Sequence, residues 1–116
     1  MLPITVFRVA GHSMEPTLHA GQFVLVNRWA KPKVGDAIVA NDIQRNIKVI
    51  KRVNKVMDGR LQIVGDNPGH GGERIINKSQ VIGKVIWYWI AAANILSSIV
   101  WPIVNSLTFA TIEFVL

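Results

Sequence analysis

The chain has 116 residues, room for one domain, and no cysteine, which excludes disulfides, thiolate metal sites and a cysteine nucleophile. Thirteen Lys and Arg stand against seven Asp and Glu; only Glu113 is charged beyond Lys84, so the residues up to Lys84 carry +7, thirteen basic against six acidic. A surface of that sign suits anionic lipid headgroups or an acidic partner, and equally serves solubility. Its sign suits nucleic acid as well, but zinc-finger spacing, an aromatic RNA-binding signature and a long basic helix are all missing, so no nucleic-acid partner is expected.

In chain order, the body reads as strands. Ile4–Val9 is short, apolar and β-branched, and Gly11 to Pro16 is a turn region, with Pro16 and Thr17 placed to open a helical turn. Phe23–Asn27 follows the Gly21-Gln22 turn, and Ala37–Ala40 follows the loop from Pro32 to Asp36. Ile47–Val53 and Leu61–Val64 flank Asp58-Gly59, a hairpin signal. A glycine-rich loop runs from Gly65 to Gly72, and Val81–Trp89 is the last long strand. Short strands at close intervals predict a mostly β fold: a curled antiparallel sheet or partly open barrel occupying residues 1–89.

Residues 90–116 form a second region. No charge falls between Val85 and Ile112, and Ile90–Ile112 alone is 23 residues, long enough as a helix to cross a bilayer core of about 30 Å. This region reads as a hydrophobic helical segment and membrane anchor, with the aromatic residues at 87–89 at the headgroup level. Pro102 and the polar residues Asn94, Ser98, Asn105 and Thr108 fit a segment lying in the interface or covering the domain's own core as well.

Two short segments carry chemistry. Ser13 sits on a tight turn, and a serine hydroxyl is a poor nucleophile unless a base takes its proton. On the strand Ile47–Val53, alternation puts Ile47, Val49, Lys51 and Val53 on one face. Lys51 is then the one charged side chain in an aliphatic row, where lost hydration favours the free amine. Either residue alone has an ordinary structural reading, Ser13 as a turn residue and Lys51 as a side chain snorkelling from an edge strand. His12, His19 and His70 show no metal-ligand spacing, so no metal or other cofactor is expected.

The blocks Ser13-Met14-Glu15-Pro16-Thr17-Leu18, Gly21-Gln22-Phe23-Val24-Leu25-Val26, Gly35-Asp36, Ile50-Lys51-Arg52-Val53, Gly65-Asp66-Asn67-Pro68 and Ile82-Gly83-Lys84-Val85, in that order, resemble the signal peptidase I family. Its short members, the nickel superoxide dismutase maturation proteases and mitochondrial inner-membrane peptidases, are the most similar. The resemblance implies a serine endopeptidase that removes signal or leader peptides from precursor proteins by a Ser/Lys dyad. Ser13 takes the place of the nucleophile and Lys51 that of the general base. Gly11, His12, Ser13 and Met14 then line the oxyanion and substrate site, with the Ser13 N–H as a donor. Asp66, Asn67, Glu73 and Arg74 form a supporting loop. The partners implied are precursor proteins and membrane lipid, with the catalytic domain outside the cytoplasm.

Three departures accompany the resemblance. Gly11 stands where many bacterial members carry a hydroxyl two residues before the nucleophile. The segment Gly69-His70-Gly71-Gly72-Glu73-Arg74 is a shortened box without the serine that would orient the lysine. The hydrophobic segment follows the domain instead of preceding it. The first two are what a catalytically weak or inactive, membrane-tethered module for extended peptides would also show. A self-cleaving repressor-type Ser/Lys protease shares the dyad, but no helix-turn-helix pattern precedes the motif. Because the position of the base is Lys51 itself, none of the three histidines is expected to fill that role.

Overall fold

The computed structural model describes residues 3–70, 72–88 and 113–116. Eight strands form one sheet: β1 (Ile4–Val9), β2 (Phe23–Asn27), β3 (Ala37–Asp42), β4 (Ile47–Met57), β5 (Arg60–Val64), β6 (Arg74–Asn77), β7 (Val81–Tyr88) and β8 (Glu113–Val115). A single 3-10 turn, Lys78–Gln80, leads into β7. The strand order is β6-β5-β4-β3-β7-β2-β1-β8. Every pairing is antiparallel except β1 with β8, which is parallel, so the sheet is mixed where the sequence predicted an antiparallel one.

Alternation explains why the sheet curls. Along β3 and β4, Val39 and Ile50 turn to a cluster with Phe7, Val9, Met14, Leu18, Val24, Val26 and Val115. Their neighbours Ile38, Ala40, Val49 and Val53 turn to a second cluster with Leu61, Ile63 and Ile76. These two strands are buried on both faces, which a flat sheet of this size cannot achieve. Register shifts at Leu25/Val26, Val39/Ala40 and Val53/Lys55 bend the strands. The result is a half-barrel, and β8 reaches back across its open side: the Leu116 N–H donates to the Lys48 carbonyl at 3.0 Å.

The predicted strands stand with some changes, among them β5 starting one residue earlier, at Arg60. β3 runs two residues further, to Asp42, β4 extends to Met57, and β6 was not foreseen. The Asp58-Gly59 hairpin is present, with Gly59 at φ 72°, the left-handed conformation that a glycine adopts without cost. Most of the predicted helical anchor, and the 89/90 boundary before it, lie outside the described residues. Its end is corrected: residues 113–115 are a strand of the main sheet, fixed by β-branched and aromatic packing, and not helix. Among the described residues, no helix is long and apolar enough to cross a membrane.

Candidate active site

Ser13 lies in the turn joining β1 to β2. The turn closes on itself, with the Leu18 N–H donating to the Met14 carbonyl at 2.9 Å. Met14 and Leu18 point inward, 0 % and 1 % exposed, and they pin the turn to the first apolar cluster. Met14 is therefore a core residue and does not line the site, contrary to the sequence expectation: a thioether within a cluster of aliphatic and aromatic side chains gains more by burial than in an open cleft.

The loop after β5 grips the other side of this turn. The Asn67 N–H donates to the Ser13 carbonyl at 2.9 Å, and its side-chain amide donates to the His12 carbonyl at 3.0 Å. Gly65 approaches so closely that a Cβ there would stand 2.6 Å from the Ser13 carbonyl oxygen. Asp66 anchors the loop to β4 by a forked pair with Arg52, at 3.1 and 2.6 Å. Burial pushes the Asp66 carboxyl up, but hydrogen bonds from Arg52 and Thr17 outweigh it and hold it below the usual carboxylate range. A planar guanidinium is the residue type suited to that fork. His12 points outward; its Nδ1 lies 2.7 Å from Glu15 Oε1.

Lys51 is half-buried on β4, on the face of Val49 and Val53 as alternation predicts. Lys51 and Ser13 line one cavity of about 280 Å³ together with Gly11, His12, His70, Arg74 and Leu116. Burial pushes the Lys51 ammonium below its ordinary value. The Arg45 and Arg74 guanidiniums push the same way, and Asp42 opposes them. Asp42 belongs to both arginines: Arg45 Nε donates to it at 2.8 Å and Arg74 Nη1 also donates to it. The Arg45 and Arg74 bonds, stronger than the opposing burial, hold the Asp42 carboxyl down to about 2. Two guanidiniums share one carboxylate, so Lys51 faces a net positive neighbour, which favours its free amine.

The Ser13 hydroxyl donates to the Leu116 carbonyl at 3.1 Å. Among the described residues, the Lys51 ammonium makes no hydrogen bond or ion pair, and the Ser13 N–H has no acceptor.

Residues 3–86 match the Peptidase S24-like family. The chain belongs to the Peptidase S24-like family. That is a serine-peptidase family in one superfamily with the signal peptidases, and the match does not select the signal peptidase I branch. No curated protein matches the chain.

In this S24-like chain, the structure brings together Gly11, His12, Ser13, Lys51 and Arg74 around one cavity, with Asp66 and Asn67 as the support behind Ser13. It does not bring Glu73. That carboxylate accepts from Asn54 and Gln62 at 2.8 and 2.6 Å on the outer surface of β4 and β5, because the shortened box turns it away from Lys51. Sequence reasoning missed Asp42, Arg45 and β8. An Asp and an Arg three apart in the β3–β4 turn is a local signal, but only β6, arriving with Arg74, makes it a cluster. Nothing in a four-residue tail predicts where it docks.

Proposed function

We propose that this chain is a serine endopeptidase in which Ser13 is the nucleophile and Lys51 the general base, and that it cuts extended signal or leader segments of precursor proteins at a membrane surface. The observation that carries the reading is a half-buried lysine, with its charge disfavoured by burial and two guanidiniums, opening onto the same cavity as a serine on a pinned turn.

The chemistry follows from those groups. The free Lys51 amine takes the Ser13 proton as Oγ attacks the peptide carbonyl carbon. The oxyanion forms next to the Ser13 N–H, which has no acceptor among the described residues, a preorganised donor of the kind typically worth a few kcal/mol. The C–N bond then breaks, and the Lys51 ammonium returns its proton to the departing amine. Water, deprotonated by Lys51, attacks the ester; the acid leaves and Ser13 recovers its proton. The membrane element draws support from Ile86, Trp87 and Tyr88, all exposed at the end of β7, directly before the uncharged stretch.

Cleavage of a preprotein with Ser13→Ala and Lys51→Ala as comparisons tests this. Each variant is expected to lose roughly a thousandfold or more in rate, with circular dichroism unchanged. Undiminished cleavage by either variant removes the dyad.

A second reading, a binding module for extended peptides, is favoured by one observation: the Ser13 hydroxyl is engaged by Leu116 and not by Lys51. A fluorophosphonate probe separates the two, since a module without an activated hydroxyl is not labelled at Ser13.

A further inference from the structure

A second cavity opens at the β3–β4 turn. Its volume is about 340 Å³, and Arg45, Lys51 and Arg74 line it as they line the cavity of Ser13. Sites for small ligands run from about 300 to 1,000 Å³, so this one suits a small molecule. Val49, Ile63 and Ile76, all buried in the second apolar cluster, supply its apolar lining.

The polar wall is built from one acid and two arginines. The Asp42 side chain is 7 % exposed. One of its oxygens accepts from the Arg45 backbone N–H at 3.3 Å; the other accepts from Arg45 Nε at 2.8 Å and from Arg74 Nη1. Both oxygens are thus engaged within the protein, and their work is to fix two guanidiniums. A guanidinium presents a fork of N–H donors, and each of these spends one on Asp42. Among the described residues, no other acceptor meets either side chain. Arg45, Arg74 and Lys51 stand against Asp42 alone in the lining.

Two guanidiniums held in place, with donors to spare and a surplus of positive charge, match an oxyanion. The apolar lining beside them decides which kind. A phosphate or sulfate leaves Val49, Ile63 and Ile76 uncovered, whereas an aliphatic carboxylate covers both walls at once.

We propose that this cavity is a site for a small free aliphatic acid, its carboxylate held by Arg45 and Arg74 and its tail laid on Val49, Ile63 and Ile76, and that its occupation restrains the peptidase by setting an anion beside Lys51. The binding stands on the cavity alone; the restraint rests on the peptidase reading and deepens it. The charged and titratable groups around Lys51 are Asp42 from β3, Arg45 from the β3–β4 turn, Arg74 from β6, and His12 and His70 across the Ser13 cavity. The histidines do not border the second cavity. An acid seated there opposes the two guanidiniums and keeps the Lys51 ammonium charged, which disarms the general base near neutral pH.

The experiment titrates the full chain carrying Ser13→Ala with hexanoate, acetate and hexylamine, followed by NMR. Hexanoate is expected to bind at least roughly tenfold more tightly than acetate, since a buried methylene is worth about fourfold, and protonated hexylamine is not expected to bind. Arg45→Gln weakens hexanoate by roughly tenfold through a lost charged hydrogen bond. Gln44 lies exposed on the rim, so Gln44→Glu tests the charge without touching the core, with a weakening of about threefold. N-acetylnorleucine carries the same carboxylate at a peptide end, and binds less tightly than hexanoate if the occupant is a free acid.

No saturable binding, equal binding of hexanoate and hexylamine, or indifference to both substitutions in a folded chain overturns the site. Tighter binding of N-acetylnorleucine overturns the free acid as occupant. With Ser13 intact, hexanoate should lower cleavage near pH 7 several-fold, move the rise to higher pH and spare the alkaline plateau; equal inhibition at every pH overturns the restraint. Selective binding by a chain that cleaves nothing leaves the site standing and overturns the peptidase reading. Cleavage by a chain that binds no hexanoate does the reverse.

Discussion

The two halves of the site are held by different physics. The Ser13 turn is fixed by backbone: the Asn67 N–H and side chain on two successive carbonyls, and Gly65 in contact with one of them. Lys51 is tuned by charge and burial, through Asp42, Arg45 and Arg74. The first half governs where the hydroxyl stands, the second when the amine is free. Substitutions in the first should change rate at every pH; substitutions in the second should move the pH dependence and spare the alkaline plateau.

Among substitutions that leave Ser13 and Lys51 in place, the largest effect expected is from Gly65→Ala. Its methyl cannot coexist with the Ser13 carbonyl at 2.6 Å, so the turn must shift, and misplacement of a reacting group by about 1 Å costs on the order of a hundredfold. Cleavage kinetics across pH should show a uniform loss with an unmoved midpoint. A moved midpoint would break the division between the halves.

Arg45→Gln comes next. Lys51 is lowered by burial and then by Arg45, so activity rises with pH through that lowered value. Removing the arginine raises the amine's pKa, and the rise moves to higher pH. Activity near pH 7 should drop several-fold while the alkaline plateau holds, read from a pH–rate profile. The same sign applies to stability. The folded state holds the Lys51 proton less tightly than the unfolded chain, so stability should increase with pH between the lowered value and the ordinary one near about 10.4, and less steeply in Arg45→Gln. Denaturant midpoints taken across that range check it.

Asn67→Ala removes the side-chain hydrogen bond to the His12 carbonyl and the one accepted from the Gly69 N–H but keeps the N–H bond to Ser13. A loss of about fivefold in kcat is expected, the equivalent of about 1 kcal/mol, again without a shift in midpoint. Glu73→Gln closes the series: it keeps one acceptor for Asn54 or Gln62 and turns the other oxygen into a donor, on a surface away from Lys51, and should leave rate and pH profile unchanged. A pH shift in Glu73→Gln would return this residue to the Lys51 environment where the sequence had placed it.

Most of the sheet was legible because β alternation and turn chemistry are local. Val49, Lys51 and Val53 on one face follow from a period of two, and Gly59 follows from Asp-Gly between two apolar runs. Ser13 and Lys51 were singled out through a family pattern, and they line one cavity. The Asp42, Arg45 and Arg74 cluster was not, since it needs β6 to arrive from 29 positions after Arg45. Met14 misled because a residue beside Ser13 in sequence faces the core once the turn closes. The tail misled most: its apolar composition fits a bilayer and a sheet interior equally well, and which of them Val115 enters is decided by the gap between β1 and β4, a property of tertiary structure.

Gly11 ties together two properties that are otherwise unrelated. A hydroxymethyl group there would offer a second donor to a developing negative charge, yet it would occupy the space against which Leu116 rests. Electrostatic assistance and room for a branched residue compete for the same small volume. With only a hydrogen at Gly11 that volume goes to the Leu116 side chain, and the turn is left with backbone donors alone.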